Sequence, residues 1–324
     1  MLDFTIWAIV FVVSLYVLIK ASDYFTLSAL KIGLAFRLSA FVVGVTIVSV
    51  GTSLPELGSS IIAVLRGVSE IVTGNVVGSN IANIFLVIGI SAIVGRGMRF
   101  KEQDVTKDLL FLLGSTGLFA VMIWNGVFSL PEALICLIVQ TGYIIYCIKI
   151  GKGKTGSLGG GEQNELKLRE KVQLKDGTIK YCIILFASSI IIYFSAKYTV
   201  ESVIELSAIL SLGREVIAAS AVALGTSLPE LAVSISAVRK GKTEVAVGNV
   251  IGSNIFNTLG VMGIPALFGA LAVPASIVRV GLPAMVIATF FYIYLVHDRE
   301  VTRKEGWIAV LLYIFFLVTI FNLF

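Results

Sequence analysis

Apolar residues run along this chain in long blocks, broken by short charged or Gly/Pro-rich joints rather than by the alternation of a half-buried strand. Cutting at the joints predicts helices near 4–34, 40–64, 70–95, 108–124 and 129–149, then 179–206, 214–238, 243–269, 276–296 and 306–323. Stretches such as Phe4–Lys20, Leu109–Trp124, Tyr181–Ala196 and Trp307–Phe324 approach or reach the roughly 20 residues that carry a helix across a bilayer. Between the halves lies KIGKGKTGSLGGGEQNELKLREK, too polar and Gly-rich to pack, which reads as a linker with one helical stretch from Gln163. The organisation predicted is a five-helix unit over 1–149, a linker over 150–178 and a second five-helix unit over 179–324.

Composition supports a lipid solvent. The 324 residues are 57% hydrophobic and 14% charged, against about a quarter charged in soluble domains. An all-α integral membrane protein follows, because lipid cannot satisfy an open strand edge. The first apolar run is preceded by Asp3 and no basic residue, and no small-residue cleavage pattern follows, so it reads as a retained span. Cys136, Cys147 and Cys182 have no paired spacing and read as packing or lipid-facing residues. The single histidine, His297, falls in a charged joint, which argues against histidine-ligated zinc and imidazole catalysis.

The +5 net charge says less than its placement. With an outward amino terminus, all but four of the 25 Lys and Arg residues fall on the cytoplasmic side; the exceptions are Arg66, Lys197, Arg214 and Arg279. Both termini are then expected outside a cell (inner) membrane. The partners expected are the bilayer and small cations, with no nucleic acid, no obligate protein partner and no cofactor.

Shifted by 174 residues, the chain matches itself. Val48–Gly89 and Val222–Gly263 share 24 identities in 42 ungapped positions, far more than common hydrophobicity gives. GTSLPEL occurs at Gly51 and again at Gly225; GNVVGSNIAN from Gly74 returns as GNVIGSNIFN from Gly248. Five spans per copy is an odd number, so the copies enter the membrane in opposite directions. That is an inverted repeat of the transporter type, whose sites lie near the midplane where the halves meet.

The repeated residues suit a cation. Pro55 lacks an amide hydrogen and its ring meets the carbonyl of Gly51, so the helix should break and leave carbonyls near Ser49 and Gly51 for other donors or for a cation. Thr52 and Glu56 are four apart and share a helix face, with Ser53 beside them; Thr226, Ser227, Pro229 and Glu230 repeat the set. Ser79 and Asn83, and Ser253 and Asn257, are likewise four apart. Carboxylate, hydroxyl, amide and carbonyl oxygens without sulfur or imidazole fit hard cations such as Na⁺ and Ca²⁺. S-L-P-E also spells a capping box. A carboxylate held in hydrocarbon costs about 3 kcal/mol or more, however, and Ser or Asn would cap without it, so the ion-site reading is preferred. Gly74, Gly78, Gly248 and Gly252 read as close helix packing.

These two GTSLPE and two GN-V-[VI]-GSN motifs resemble the repeats of the calcium/cation antiporter superfamily, in its sodium/calcium exchanger branch of prokaryotic type. The resemblance implies that Glu56 and Glu230 bind Ca²⁺ or are shared among Na⁺ ions. It implies hydroxyl and backbone oxygens from Thr52, Ser53, Thr226 and Ser227, carbonyl ligands at Ser49 and Ala223, and a ring completed by Ser79, Asn83, Ser253 and Asn257. It also implies electrogenic exchange of three Na⁺ for one Ca²⁺, with spans one and six sliding. Asn257 stands where potassium-dependent relatives carry Asp, which disfavours potassium cotransport. The linker is too short and basic for a calcium-sensing insert. Lys197 sits at the position that the repeat pairs with Asp23, an asymmetry without an account in the sequence.

Rival functions fit less well. A calcium/proton antiporter of the same superfamily would carry an acidic residue where Gly78 and Gly252 stand. A sodium-coupled symporter for an anionic solute would face two repelling glutamates. A channel does not need an inverted repeat with charged central residues, and an enzyme would need a motif such as HExxH or GxSxG, which is absent from the sequence.

Overall fold

The computed structural model describes residues 2–100, 105–153, 176–210 and 227–320. Within them lie ten helices: α1 (Leu2–Ala35), α2 (Ala40–Leu65), α3 (Glu70–Val94), α4 (Val105–Met122), α5 (Leu130–Gly153), α6 (Asp176–Ile209), α7 (Leu228–Arg239), α8 (Thr243–Ala266), α9 (Ile277–His297) and α10 (Arg303–Ile320). Eight are long and apolar enough to cross a membrane. The exceptions are α7, whose predicted amino half from 214 lies outside the described residues, and α10, which opens on Arg303, Lys304 and Glu305. The helical stretch expected from Gln163 and the site residues Ala223 and Thr226 also lie outside the described residues.

Packing follows the repeat. α8 sits against α2 and α5, and its counterpart α3 sits against α7 and α10. α4 and α9, which the repeat exchanges, pack on each other. α1 and α6 lie along one another at the edge of the molecule and turn residues such as Val12, Tyr16, Ile183 and Phe186 outward. That exposed apolar surface is what a lipid-facing helix pair requires.

Four two-residue strands add to the all-helical expectation. β1 (Met98–Arg99) pairs antiparallel with β4 (Glu300–Val301), and β2 (Val127–Phe128) with β3 (Leu271–Ala272). Paired joints must share a side of the membrane, so an even number of crossings separates them. The β1–β4 pair encloses α4 to α9 and the β2–β3 pair encloses α5 to α8, so with the other enclosed helices crossing, the chain between α6 and α8 must cross once more, with α7 as part of that passage. Two more hydrogen bonds agree: Thr243 Oγ1 donates to the Arg99 carbonyl on the β1–β4 face (2.6 Å), and the Ala272 amide to Ser69 Oγ on the β2–β3 face (3.1 Å). Adding 174 carries Met98 to Ala272 and Val127 to Val301, so each pair maps onto the other at the opposite face. The two repeats are inverted copies.

Candidate cation site

α2 is interrupted where the sequence predicts. Its first part ends at Thr52, Ser53 takes a non-helical conformation (φ −90°, ψ 7°), and a new helix begins at Leu54 with Pro55 in its first turn. Proline is tolerated there because the first amides of a helix have no intrahelical acceptor. Ser227 takes nearly the same conformation (φ −97°, ψ 4°) ahead of Leu228 and Pro229. The break does not strip the Ser49 carbonyl of its backbone partner: it accepts the Ser53 amide (3.1 Å) and also faces the hydroxyls of Thr52 (3.3 Å) and Ser253 (3.5 Å).

A third S-L-P-E shows what a capping box looks like in this chain. At Ser129–Glu132, which starts α5, the Glu132 carboxylate accepts both the amide and the hydroxyl of Ser129 (2.5 and 2.8 Å). At Ser53 and Ser227 no side-chain cap forms. Glu56 and Glu230 are instead 2% and 1% exposed, turned inward rather than back on their own helix ends. Glu132→Gln is therefore expected to weaken the start of α5 by about 1 kcal/mol, seen as a slightly lower unfolding temperature, and to leave ion exchange intact.

The buried oxygens converge. Ser53 Oγ donates to Glu230 Oε1 across the repeats (3.1 Å). Both carboxylate oxygens of Glu56, Oε2 of Glu230 and the hydroxyl of Ser227 are buried without a hydrogen-bond partner. Thr52 Oγ1 approaches Asn249 Oδ1 (3.3 Å), whose amide donates to Ser234 Oγ (3.0 Å) and the Glu230 carbonyl (3.4 Å).

α3 and α8 cross through reciprocal amides. Asn83 Nδ2 donates to Asn254 Oδ1, and Asn257 Nδ2 donates to Asn80 Oδ1, both at 3.1 Å. The lock uses the donors of Asn83 and Asn257 and leaves their Oδ1 atoms buried and unpartnered. Each of these asparagines opens a π-helical turn, Asn83–Val87 and Asn257–Val261, a local widening often found at functional sites.

An unpartnered buried oxygen costs free energy and a buried carboxylate costs more. Here two carboxylates, two amide oxygens and a hydroxyl share that condition, and a bound cation is one kind of partner that would relieve it. The carboxylates number two and no imidazole or thiolate joins them, so no cluster of three His, Cys, Asp or Glu exists among the described residues. Oxygen donors of this kind select hard ions.

Of the residues singled out in the sequence, the structure joins Ser49, Thr52, Ser253 and, through Asn249, Glu230 and Ser53 in one buried network; Asn83 and Asn257 are tied into the crossing of α3 and α8, and Glu56, Ser227 and Ser79 are buried beside these segments. Sequence reasoning missed Asn80, Asn254 and Asn249. All three lie in the repeated GN and GSN segments: Asn249 is one turn before Ser253 and continues the same face, while Asn80 and Asn254 sit beside the picked face and are reached by amides of the other repeat. Gly248 and Gly252 pack as expected: a Cβ on Gly252 would lie 2.3 Å from the Val45 carbonyl, and one on Gly248 2.5 Å from that of Phe41; Gly74 and Gly78 do not, since a Cβ on Gly74 would meet only the Ile277 side chain at 3.9 Å and, among the described residues, nothing lies within 4 Å of one on Gly78.

A cavity of about 220 Å³ reaches Glu56 between α2 and α6, lined by Pro55, Ser59, Tyr193, Lys197 and Glu201 among others. It lies past the break in α2, in the half of that helix running to the β2–β3 face.

The sequence profile of the sodium/calcium exchanger protein family matches residues 6–149 and 180–322, one copy in each repeat. The chain belongs to this family. It is a multi-pass membrane cation exchanger and not an enzyme. The sodium/calcium exchanger MaX1 of Methanosarcina acetivorans is 33% identical over 98% of this chain and 99% of its own length. The inner membrane protein YrbG of Escherichia coli is 30% identical over 79% of this chain and 78% of its own. Among solved structures, the sodium-calcium exchanger NCX_Mj soaked with zero Na⁺ and Ca²⁺ superposes with a TM-score of 0.79 at 28% identity, covering 97% of this exchanger and 98% of that chain. The same protein soaked with 2.5 mM Na⁺ and 10 mM Sr²⁺ gives a TM-score of 0.78 at 28% identity.

Proposed function

We propose that this exchanger moves Na⁺ against Ca²⁺ by alternating access, with the ions bound between the inverted repeats. The observation that carries the reading is the pair of buried carboxylates, Glu56 and Glu230, one from each repeat, with three of their four oxygens unpartnered. Their two negative charges balance one Ca²⁺, and Na⁺ ions filling the same oxygens leave Ca²⁺ no low-energy place. Competition for one site is what an antiporter needs. Thr52, Ser53, Ser227, Ser79, Asn83, Ser253, Asn257 and the Ser49 carbonyl supply the neutral oxygens; Thr226 and Ala223 are proposed ligands by the repeat alone. The naming of MaX1 and NCX_Mj as sodium/calcium exchangers supports the same ion pair.

Proton coupling fits less well. The acidic residue that a calcium/proton antiporter would carry is absent at positions 78 and 252; at 252 it has no room beside Val45 and Ser49, whereas among the described residues nothing crowds a side chain at 78. The excess of basic residues at the β1–β4 face supports a cytoplasmic position for it, with both termini outside an inner membrane, and YrbG is named as an inner membrane protein.

The test is ⁴⁵Ca²⁺ uptake into proteoliposomes loaded with Na⁺, compared with K⁺-loaded vesicles and with a proton gradient alone. Uptake that requires internal Na⁺ and responds to membrane potential is expected. Uptake driven by the proton gradient alone would overturn the coupling ion, and absence of Ca²⁺ flux in all three would overturn the substrate.

A further inference from the structure

The repeat makes a comparison available that neither half offers alone. Residues 23, 236 and 240 are equivalent, 174 positions apart, to 197, 62 and 66. In one set, Asp23 on α1 accepts a hydrogen bond from Ser236 Oγ at the end of α7 (2.7 Å) and is ion-paired with Lys240, which also donates to Ser236 (2.7 Å). In the other set the same places hold Lys197, Ile62 and Arg66. Two cations with an isoleucine between them cannot form that contact. Lys197 is paired instead with Glu201 one turn along its own helix (3.6 Å), and among the described residues that ion pair ties α6 to no other helix.

The faces differ to match. On the β1–β4 side, α1 is fastened to α7 by three polar groups. On the β2–β3 side, where the equivalent contact would draw α6 onto α2, there is the cavity lined by Lys197 and Glu201 and reaching Glu56. An inverted repeat reaches its opposite-facing state when the two copies exchange conformations. A contact that exists in one copy and is barred by charge in the other must bias that exchange.

We propose that Asp23 is a positioning residue for transport: with Ser236 and Lys240 it latches α1 to α7, closes the β1–β4 side and favours the state open toward the β2–β3 side, while the Lys197/Arg66 pair denies the opposite state an equal latch. The inference rests on alternating access but not on which ions are exchanged. The groups are partly exposed, so the contact is of ordinary surface strength and shifts the equilibrium about two- to fivefold.

Cysteine accessibility reads that shift. Ser59 lines the cavity, and its repeat equivalent Val233 is fully buried on the closed side. In a Cys182→Ser background, which removes the exposed thiol and leaves Cys136 and Cys147 buried, Val233→Cys reports the minor state opened to the β1–β4 side. Asp23→Asn is expected to raise its rate of modification by a charged methanethiosulfonate about two- to fivefold. Exchange of the charges, Asp23→Lys with Lys240→Asp, is expected to restore the slow rate. Lys197→Asp, which gives Arg66 an acid to pair with, should raise the rate as well. An unchanged rate in Asp23→Asn would overturn the latch. So would a charge-swapped protein as fast as Asp23→Asn while unfolding at the parental temperature, since the contact would then be steric. Labelling needs no ion flux, so the latch stands or falls apart from the ⁴⁵Ca²⁺ result.

Discussion

Glu56→Gln and Glu230→Gln are each expected to abolish sodium-dependent Ca²⁺ uptake while leaving the protein folded and at least as heat-stable. The two halves of that expectation come from the same atoms. Three of the four carboxylate oxygens are buried without hydrogen-bond partners, so the charges are held at a cost that glutamine, nearly identical in shape, does not carry. Against a divalent ion the loss is large. A carboxylate facing a divalent ion at about 4 Å contributes about 8 kcal/mol at an effective dielectric near 20; if desolvation offsets half of that, at 1.4 kcal/mol per tenfold in affinity, removing one charge weakens Ca²⁺ by about a thousandfold. Thermal unfolding with and without Ca²⁺ separates the terms: the parent protein should gain stability as Ca²⁺ binds its folded state, and the glutamine variants should start higher and gain nothing. Ca²⁺-dependent stabilisation retained in both variants would remove these carboxylates from the site. The two need not respond alike, because Glu230 already accepts the Ser53 hydroxyl whereas Glu56 faces the cavity with both oxygens free of hydrogen bonds.

The architecture was legible because its signals are local or periodic. Blocks of apolar residues located the helices to within a few positions, as in 40–64 against Ala40–Leu65 and 70–95 against Glu70–Val94. The differences fall at charged ends. Hydropathy starts the last helix at 306, yet it includes Arg303 to Glu305, because the Glu305 carboxylate caps the Thr302 amide (2.7 Å) and charged residues can continue a helix beyond the hydrocarbon. The break at Pro55 was legible from proline's missing amide, but which carbonyls it frees was not: the Ser49 carbonyl, expected to be left open, keeps the Ser53 amide as its backbone partner. The asparagine lock could not be read from spacing. Asn80 and Asn254 matter through partners about 170 residues away, and only the crossing of α3 and α8 brings them together. Lys197 is the same kind of case: its charge was visible, but its meaning depends on what Asp23 touches in the other copy.

Gly252→Ala should be the most damaging change that removes no ion ligand. The added Cβ would lie 2.3 Å from the Val45 carbonyl oxygen, 2.5 Å from Ser49 Oγ and 2.7 Å from Ser49 Cβ. The Ser49 hydroxyl could rotate, but a backbone carbonyl inside a helix cannot, so α2 and α8 must separate. Overpacking of this sort costs about 1–3 kcal/mol. The separation also carries Ser49 away from Ser253, whose hydroxyl faces the Ser49 carbonyl, so exchange should fall together with stability. Gly58→Ala is the matched control. Among the described residues nothing lies within 4 Å of a Cβ there, and its repeat equivalent, 174 positions on, is already Ala232. Alanine at that half-buried but uncrowded helical position should stabilise by roughly 0.5–1 kcal/mol. Unfolding temperature and ⁴⁵Ca²⁺ uptake measured on both variants check the pair. If Gly252→Ala behaved like Gly58→Ala, α2 and α8 would not approach so closely, and the steric exclusion of an acidic side chain at position 252 would fall with it. If it loses both stability and exchange, the close approach of two backbones is what holds the Ser49 carbonyl beside Ser253.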